Sequence, residues 1–207
     1  MSKTAIVNIL TLSRVPLIAI WMALAIAEAY RGGYALGLAG CFFGFLSGLT
    51  DFWDGSLARR WNVVSTFGKL ADPLMDKIFY VIAFPTLVWI CRRQDSQSVH
   101  SLVLLLFAVL YILRDLWVTF MRAVGSAYGA PVAAMWMGKV RTALSFPAAG
   151  WVYFYLLLNP LVESEIAVYW LWSCYAVEMF MSSLNVLSFY TYTKAYWPFV
   201  KKALANR

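Results

Sequence analysis

The sequence predicts an all-α, polytopic membrane protein with six transmembrane helices and a short N-terminal interfacial segment, forming one domain over residues 1–207. Three observations predict it. Of the 207 residues, 62% are hydrophobic and only 13% are charged; with a mean hydropathy of +0.70, this lies outside the soluble globular range. The apolar residues gather into six runs of membrane-spanning length. The basic residues are also unevenly spread. With both termini on the cytoplasmic side, the outer loops hold only Arg31, Arg92 and Arg93 of the 17 Lys and Arg residues, which obeys the positive-inside rule. The net charge of +7 is then explained by topology and anionic lipid, and no nucleic-acid partner is needed.

Residues 1–8 read as the interfacial segment, and the first span follows at about 9–30. Lys3 before an apolar run and Ala27-Glu28-Ala29 mimic a signal peptide, but cleavage would remove the pattern Asn8-x-x-Thr11-x-x-Arg14, so a retained helix is expected. Arg31 to Ala35 form a turn containing Gly32-Gly33. The second span, about 36–58, carries Gly40, Gly44 and Gly48 at four-residue intervals, a stripe that lets a neighbouring helix backbone approach closely. A polar link at 60–66 leads to the third span, about 67–90. There Pro73 either starts or kinks the helix, and Pro85 predicts a second irregularity. A polar loop at 91–100 precedes the fourth span, about 101–123. A connection at 124–138 runs through Lys139 and Arg141 into the fifth, which ends near Leu158. After the acidic loop 159–165, the sixth span covers about 166–190 and ends in a basic tail.

Cys41, Cys91 and Cys174 are widely spaced and form neither a C-x-x-C pair nor a disulfide framework. His100 is the only histidine and falls in the predicted 91–100 loop, which argues against a histidine metal site or a Ser-His-Asp triad. Glu28 and Glu178 receive no role.

The chemistry concentrates between Asp51 and Asp76. Asp51 and Asp54 stand three apart and Asp72 and Asp76 four apart, so each pair shares a helix face. Ionisable groups in an apolar chain are costly and mark function by default. Four carboxylates converging on one pocket would repel one another unless divalent cations held them together.

The stretch reads D-x2-D-G-x2-A-R-x8-G-x3-D-x3-D, with Asp51, Asp54, Gly55, Ala58, Arg59, Gly68, Asp72 and Asp76 at its specified positions. In all eight it resembles the signature of the CDP-alcohol phosphatidyltransferases. Arg114-Asp115-x-x-Val118-Thr119-x-x-Arg122 and Gly138-Lys139-Val-Arg141-Thr142 look like the phosphatidylglycerophosphate synthases of that family. With the Asn8–Arg14 pattern, the similarity covers most of residues 8–142. One departure is Asp115, where those enzymes more often carry glutamate.

The resemblance implies a phosphatidyl transfer from CDP-diacylglycerol to glycerol 3-phosphate with loss of CMP, in a membrane-embedded homodimer. It implies that Asp51, Asp54 and Asp72 hold metal. Asp76 would be the general base and a fourth ligand. It places Gly55, Ala58, Arg59 and Gly68, with Asn8 and Thr11, at the CDP pocket. Oxygen-only ligation favours magnesium or manganese, with two ions serving phosphoryl transfer. Arg114 and Arg122 lie eight apart, about 80° round a helix, so with Lys139 and Arg141 they suit an acceptor phosphate. For Arg114 the competing reading is a structural ion pair; for Arg122, Lys139 and Arg141 it is a topology signal. Inositol phosphate, serine or phosphatidylglycerol remain rival acceptors, and a divalent-cation transporter remains the rival class. The expected location is a bacterial cytoplasmic membrane with the site facing the cytoplasm.

Overall fold

A computed structural model describes residues 2–63, 65–94, 99–130 and 136–205; the side chains of Thr66, Lys69, Leu70 and Lys139 fall outside that description. The described residues form six long helices: α1 (Lys3–Arg31), α2 (Tyr34–Trp61), α3 (Thr66–Gln94), α4 (Val99–Ala127), α5 (Trp136–Leu158) and α6 (Ser164–Ala205). A 3-10 turn, Asn159–Leu161, joins the last two. No strand occurs among the described residues.

Among the described residues, four helical stretches are long and apolar enough to cross a membrane: α1, α2, Ala71–Gln94 of α3, and α4. The 23 residues of α5 and the 42 of α6 have sufficient length. Their faces are rich in tryptophan and tyrosine (Trp151, Tyr153, Tyr155, Tyr169, Trp170, Trp172), residues favoured at membrane interfaces and less apolar than leucine or valine. Much of the exterior is greasy, with Phe42, Phe45, Leu106, Leu113 and Leu116 all exposed, as a lipid-facing surface requires.

Three expectations need correction. Residues 1–8 are no separate segment, because α1 begins at Lys3 and runs unbroken, with the Ser2 hydroxyl capping the Ala5 N–H at 3.2 Å. His100 lies inside the first turn of α4 and is buried. The polarity of the preceding residues suggested a loop, but an imidazole with a buried partner on α6 is satisfied within a helix. The basic tail is helical too: α6 continues through Pro198 to Ala205. Pro73 and Pro85 both fall inside α3, so Pro73 does not start it.

α1 packs along both α2 and α3, α4 packs on α3 and α6, and α5 joins α3 to α6. The α1–α2 turn is two glycines with φ of 68° and 102°, a region closed to most side chains. The glycine stripe of α2 packs within the chain. Gly40 and Gly44 lie against Trp21 of α1, and Gly48 lies against the Phe146 ring of α5. Aromatic rings fill the core where α3 meets α4, with Phe84 and Phe107 at 4.9 Å and Tyr80 and Tyr111 at 4.8 Å between centroids.

The α2–α3 link sets the site. Asn62 takes a left-handed conformation (φ 54°) and its N–H closes the end of α2 on the Ala58 and Arg59 carbonyls. The Ser65 hydroxyl accepts from the Gly68 N–H at 2.9 Å at the head of α3. Asp54 then lies seven residues before the end of α2, and Asp72 six after the start of α3. At about 1.5 Å per residue both stand roughly 10 Å from the link, so the two carboxylate pairs meet at one level.

Candidate active site

α1 brings two polar side chains to the carboxylates. The Arg14 guanidinium lies 2.7 Å from Asp51 Oδ1, 2.5 Å from Asp54 Oδ2, 3.4 Å from Asp72 Oδ1 and 3.5 Å from Asp76 Oδ1. All four signature aspartates therefore converge on one cation. Arg14 and Asp54 are buried; Asp51 and Asp72 are open to the cavity. The Thr11 hydroxyl donates to Asp54 Oδ2 at 2.7 Å, which fixes the orientation of the most deeply buried of these four carboxylates. The sequence pattern singled out Thr11 for the nucleotide and left Arg14 without a role. One helix turn between them (Thr11, Arg14) was the available signal that they share a face.

The carboxylates form one end of a cavity of about 1150 Å³. Gly55 and Arg59 line the same end, and the Arg59 guanidinium lies over Gly55, 3.5 Å from where a Cβ would stand. Asn8 and Gly68 are held beside it through Ser65, whose hydroxyl donates to Asn8 Oδ1 at 2.9 Å. Ala58 closes the α2 terminus through its carbonyl. Among the described lining residues are neither Ala58, Gly68, Asn8 nor Thr11.

The other end of the cavity is basic. Arg114 and Arg122 of α4 and Arg141 of α5 all line it. Arg114 is buried, donates to the Ser188 hydroxyl of α6, and lies 5.3 Å from the Tyr192 ring centroid. Arg141 is buried, 3.0 Å from Asp115 Oδ1 and 3.3 Å from Asn185 Oδ1, and sits 4.1 Å over the Tyr111 ring. Arg122 has a buried Nε with no hydrogen-bond partner among the described residues. The side chain of Lys139 lies outside the described residues. The structure thus brings three of the four expected acceptor-binding cations to one wall. It also adds residues that the sequence reading did not assign: Lys77, Asn185, Ser188 and Tyr192. The last three come from α6, whose sequence offered only hydrophobic character.

Chemically, one cavity presents an acidic end able to hold cations and a basic end able to hold an anion. All donors at the acidic end are carboxylate oxygens, which suit hard divalent ions. A guanidinium already fits between them, so the site accommodates positive charge. As they stand, no three of these side chains are grouped closely enough to hold an ion, counting only described residues, and the Arg14 guanidinium lies within 3.5 Å of all four.

The sequence model of a family described as CDP-alcohol phosphatidyltransferase matches residues 4–191. Among curated proteins, the CDP-diacylglycerol--glycerol-3-phosphate 3-phosphatidyltransferase of Escherichia coli (strain K12) is 31% identical over 183 residues, covering 87% of this chain and 92% of that protein. The proteins of the same name from Shigella sonnei (strain Ss046) and Shigella flexneri serotype 5b (strain 8401) match equally, at 31% over 183 residues.

Proposed function

The chain belongs to the CDP-alcohol phosphatidyltransferase family, and from that premise we propose that it transfers the phosphatidyl group of CDP-diacylglycerol to glycerol 3-phosphate, releasing CMP. The observation that carries this reading is the single cavity joining the Asp51–Asp76 cluster to Arg114, Arg122 and Arg141. The nucleotide end needs carboxylates with bound cations; the acceptor end needs fixed positive charge for a phosphate.

Asp51, Asp54 and Asp72 would hold the divalent cations, magnesium or manganese and two per site, with Asp76 able to contribute. Bound there, such ions neutralise pyrophosphate charge and polarise the phosphoryl oxygens. Thr11 orients Asp54 for that task. Arg14, within 3.5 Å of all four carboxylates, would offset part of their negative charge beside such ions. Arg59, beside Gly55, reaches the nucleotide phosphates, and Ala58, Gly68 and Asn8 support that end from outside the cavity lining, through the α2 terminus and Ser65. Arg114, Arg122, Lys139 and Arg141 hold the acceptor phosphate. Asp76 accepts the proton of the acceptor 1-hydroxyl as that oxygen attacks the lipid-linked phosphorus. The new P–O bond forms, the bond to the CMP oxygen breaks, and CMP leaves. No Ser, Cys or His pair suited to a covalent route lines the described cavity, which supports direct displacement.

We further place α5 and α6 across the bilayer with the other four helices. That puts both termini and the site on the cytoplasmic face of a bacterial inner membrane, in a homodimer. These assignments rest on the basic-residue asymmetry and on the family resemblance.

The test is an acceptor panel on purified protein with CDP-diacylglycerol and magnesium. CMP release and lipid product are followed with glycerol 3-phosphate, serine, inositol phosphate and phosphatidylglycerol in turn. Turnover with glycerol 3-phosphate alone, lost in Asp76→Asn, is the expected result. Turnover with another acceptor would retain the carboxylate chemistry and overturn the acceptor assignment. Metal flux into proteoliposomes without CMP release would overturn both.

A further inference from the structure

Lys77 directly follows Asp76 on α3, about 100° round the helix, and it lines the cavity. Its ammonium crosses to α4, 3.4 Å from Asp115 Oδ2 and 2.7 Å from the Thr119 hydroxyl oxygen. The Thr119 hydroxyl donates its own proton to the Asp115 carbonyl at 2.8 Å, so its lone pairs face the lysine. The other Asp115 oxygen, Oδ1, lies 3.0 Å from Arg141 and 3.5 Å from Arg114. One carboxylate thus gathers three cations from α3, α4 and α5, and three positive charges less one negative leave a net +2.

Within this cluster the Nε atoms of Arg114 and Arg141 are buried without a hydrogen-bond partner among the described residues, although both side chains are almost fully enclosed. Unpaired buried donors are costly, and here they stand around an excess of two positive charges on the cavity wall. A phosphate monoester dianion matches that excess. Lys77 differs from the two arginines in one respect: its side chain is 31% exposed and its four-carbon stem is free to swing, whereas theirs are locked by Asn185, Ser188 and ring faces.

We propose that Lys77 is a further acceptor-binding residue: it leaves Asp115 to contact the phosphate of the incoming acceptor, and Asp115 is the positioning residue that gathers the three cations for it. This rests on the acceptor reading given under the proposed function. Because Lys77 and Asp76 are neighbours on one helical turn, a phosphate gripped by Lys77 sets the distance of the acceptor hydroxyl from the base. The same contact therefore ties acceptor recognition to proton removal.

The experiment compares wild type with Lys77→Met and Lys77→Arg. It measures KM for glycerol 3-phosphate, KM for CDP-diacylglycerol, and the inhibition constant of inorganic phosphate against the acceptor. Loss of one charge-assisted hydrogen bond predicts about a tenfold or larger rise in the acceptor KM and in the phosphate inhibition constant for Lys77→Met. The KM for CDP-diacylglycerol should stay within about twofold, and Lys77→Arg should restore most of the acceptor KM. Equal losses toward both substrates, or an unchanged phosphate inhibition constant, would overturn the proposal and leave Lys77 a structural tie between α3 and α4. If wild type makes no product from glycerol 3-phosphate, the acceptor reading itself falls. The direct affinity for inorganic phosphate then judges Lys77 separately: equal affinity in wild type and Lys77→Met overturns it, and weaker binding in the variant upholds it as an anion-binding group.

Discussion

Replacing Arg14 by alanine tests the arrangement of the acidic end most sharply. Arg14 touches four carboxylates, but the contacts are unequal. The side chains of Asp51, Asp72 and Asp76 are 59%, 52% and 36% exposed, and pairs with that access to water contribute about 0–1 kcal/mol each. Asp54 is 4% exposed and Arg14 8%. Removing one partner of such a pair strands a buried charge, at a cost of about 3–5 kcal/mol. For a chain of this length that corresponds to a fall in Tm of about 6–20 °C. The assay is thermal unfolding in detergent, with EDTA and with millimolar manganese. In EDTA Arg14→Ala should melt well below wild type. In manganese the gap should narrow, because ions at about a hundred times their Kd add roughly 2.7 kcal/mol and replace the lost positive charge. The control Arg14→Ala/Asp54→Asn, which removes both partners, should recover much of the loss without metal. If Arg14→Ala melts with wild type in EDTA, Arg14 does not hold the cluster together. A gap of the same size with and without manganese would refute the idea that metal and guanidinium serve the same carboxylates.

Three further outcomes follow from geometry elsewhere. Gly48→Ala would place a Cβ 2.7 Å from two carbons of the Phe146 ring, and overpacking of this kind costs about 1–3 kcal/mol; the melting temperature should fall, and Phe146→Leu in the same chain should recover it. Thr11→Val removes the 2.7 Å hydrogen bond to buried Asp54, worth about 1–3 kcal/mol, and should raise the manganese concentration for half-maximal activity about tenfold or more; an unchanged metal requirement would show that Thr11 does not orient the ligand. His100 Nε2 lies 2.7 Å from Glu178 Oε1 with both side chains buried, fourteen residues or about 21 Å along α4 from Arg114. Glu178→Leu should therefore lower stability by about 3 kcal/mol while turnover per folded molecule stays the same.

Several of these features were open to sequence reading, and the reason is local. Asp51 and Asp54 share one helix turn, as do Asp72 and Asp76, and a short link joins the two helices. Helical periodicity and chain connectivity then suffice to bring the four together. The same applies to Arg114 and Arg122 on one face of α4, and to the small-residue stripe of α2. Six apolar runs became six long helices because backbone groups in an apolar setting must bond internally. The error at His100 has the same origin. A polar neighbourhood in sequence says nothing of Glu178, 78 residues away, which makes a helical burial acceptable.

What the sequence by itself determined was the spacing of charges along each helix, and hence which carboxylates and which arginines work together. Only the tertiary structure decided who faces whom across helices. It set Arg14 of α1 among the carboxylates of α2 and α3, and it drew Lys77, Arg114 and Arg141 onto the single carboxylate of Asp115. It also brought α6 to the basic end, where Tyr192 lines the cavity and Asn185 and Ser188 hold Arg141 and Arg114. The physical reason is that helical period fixes angles only within one helix. The partner of a buried charge depends on how helices pack, because desolvation makes an unpaired buried charge costly and the fold decides which opposite charge lies within reach.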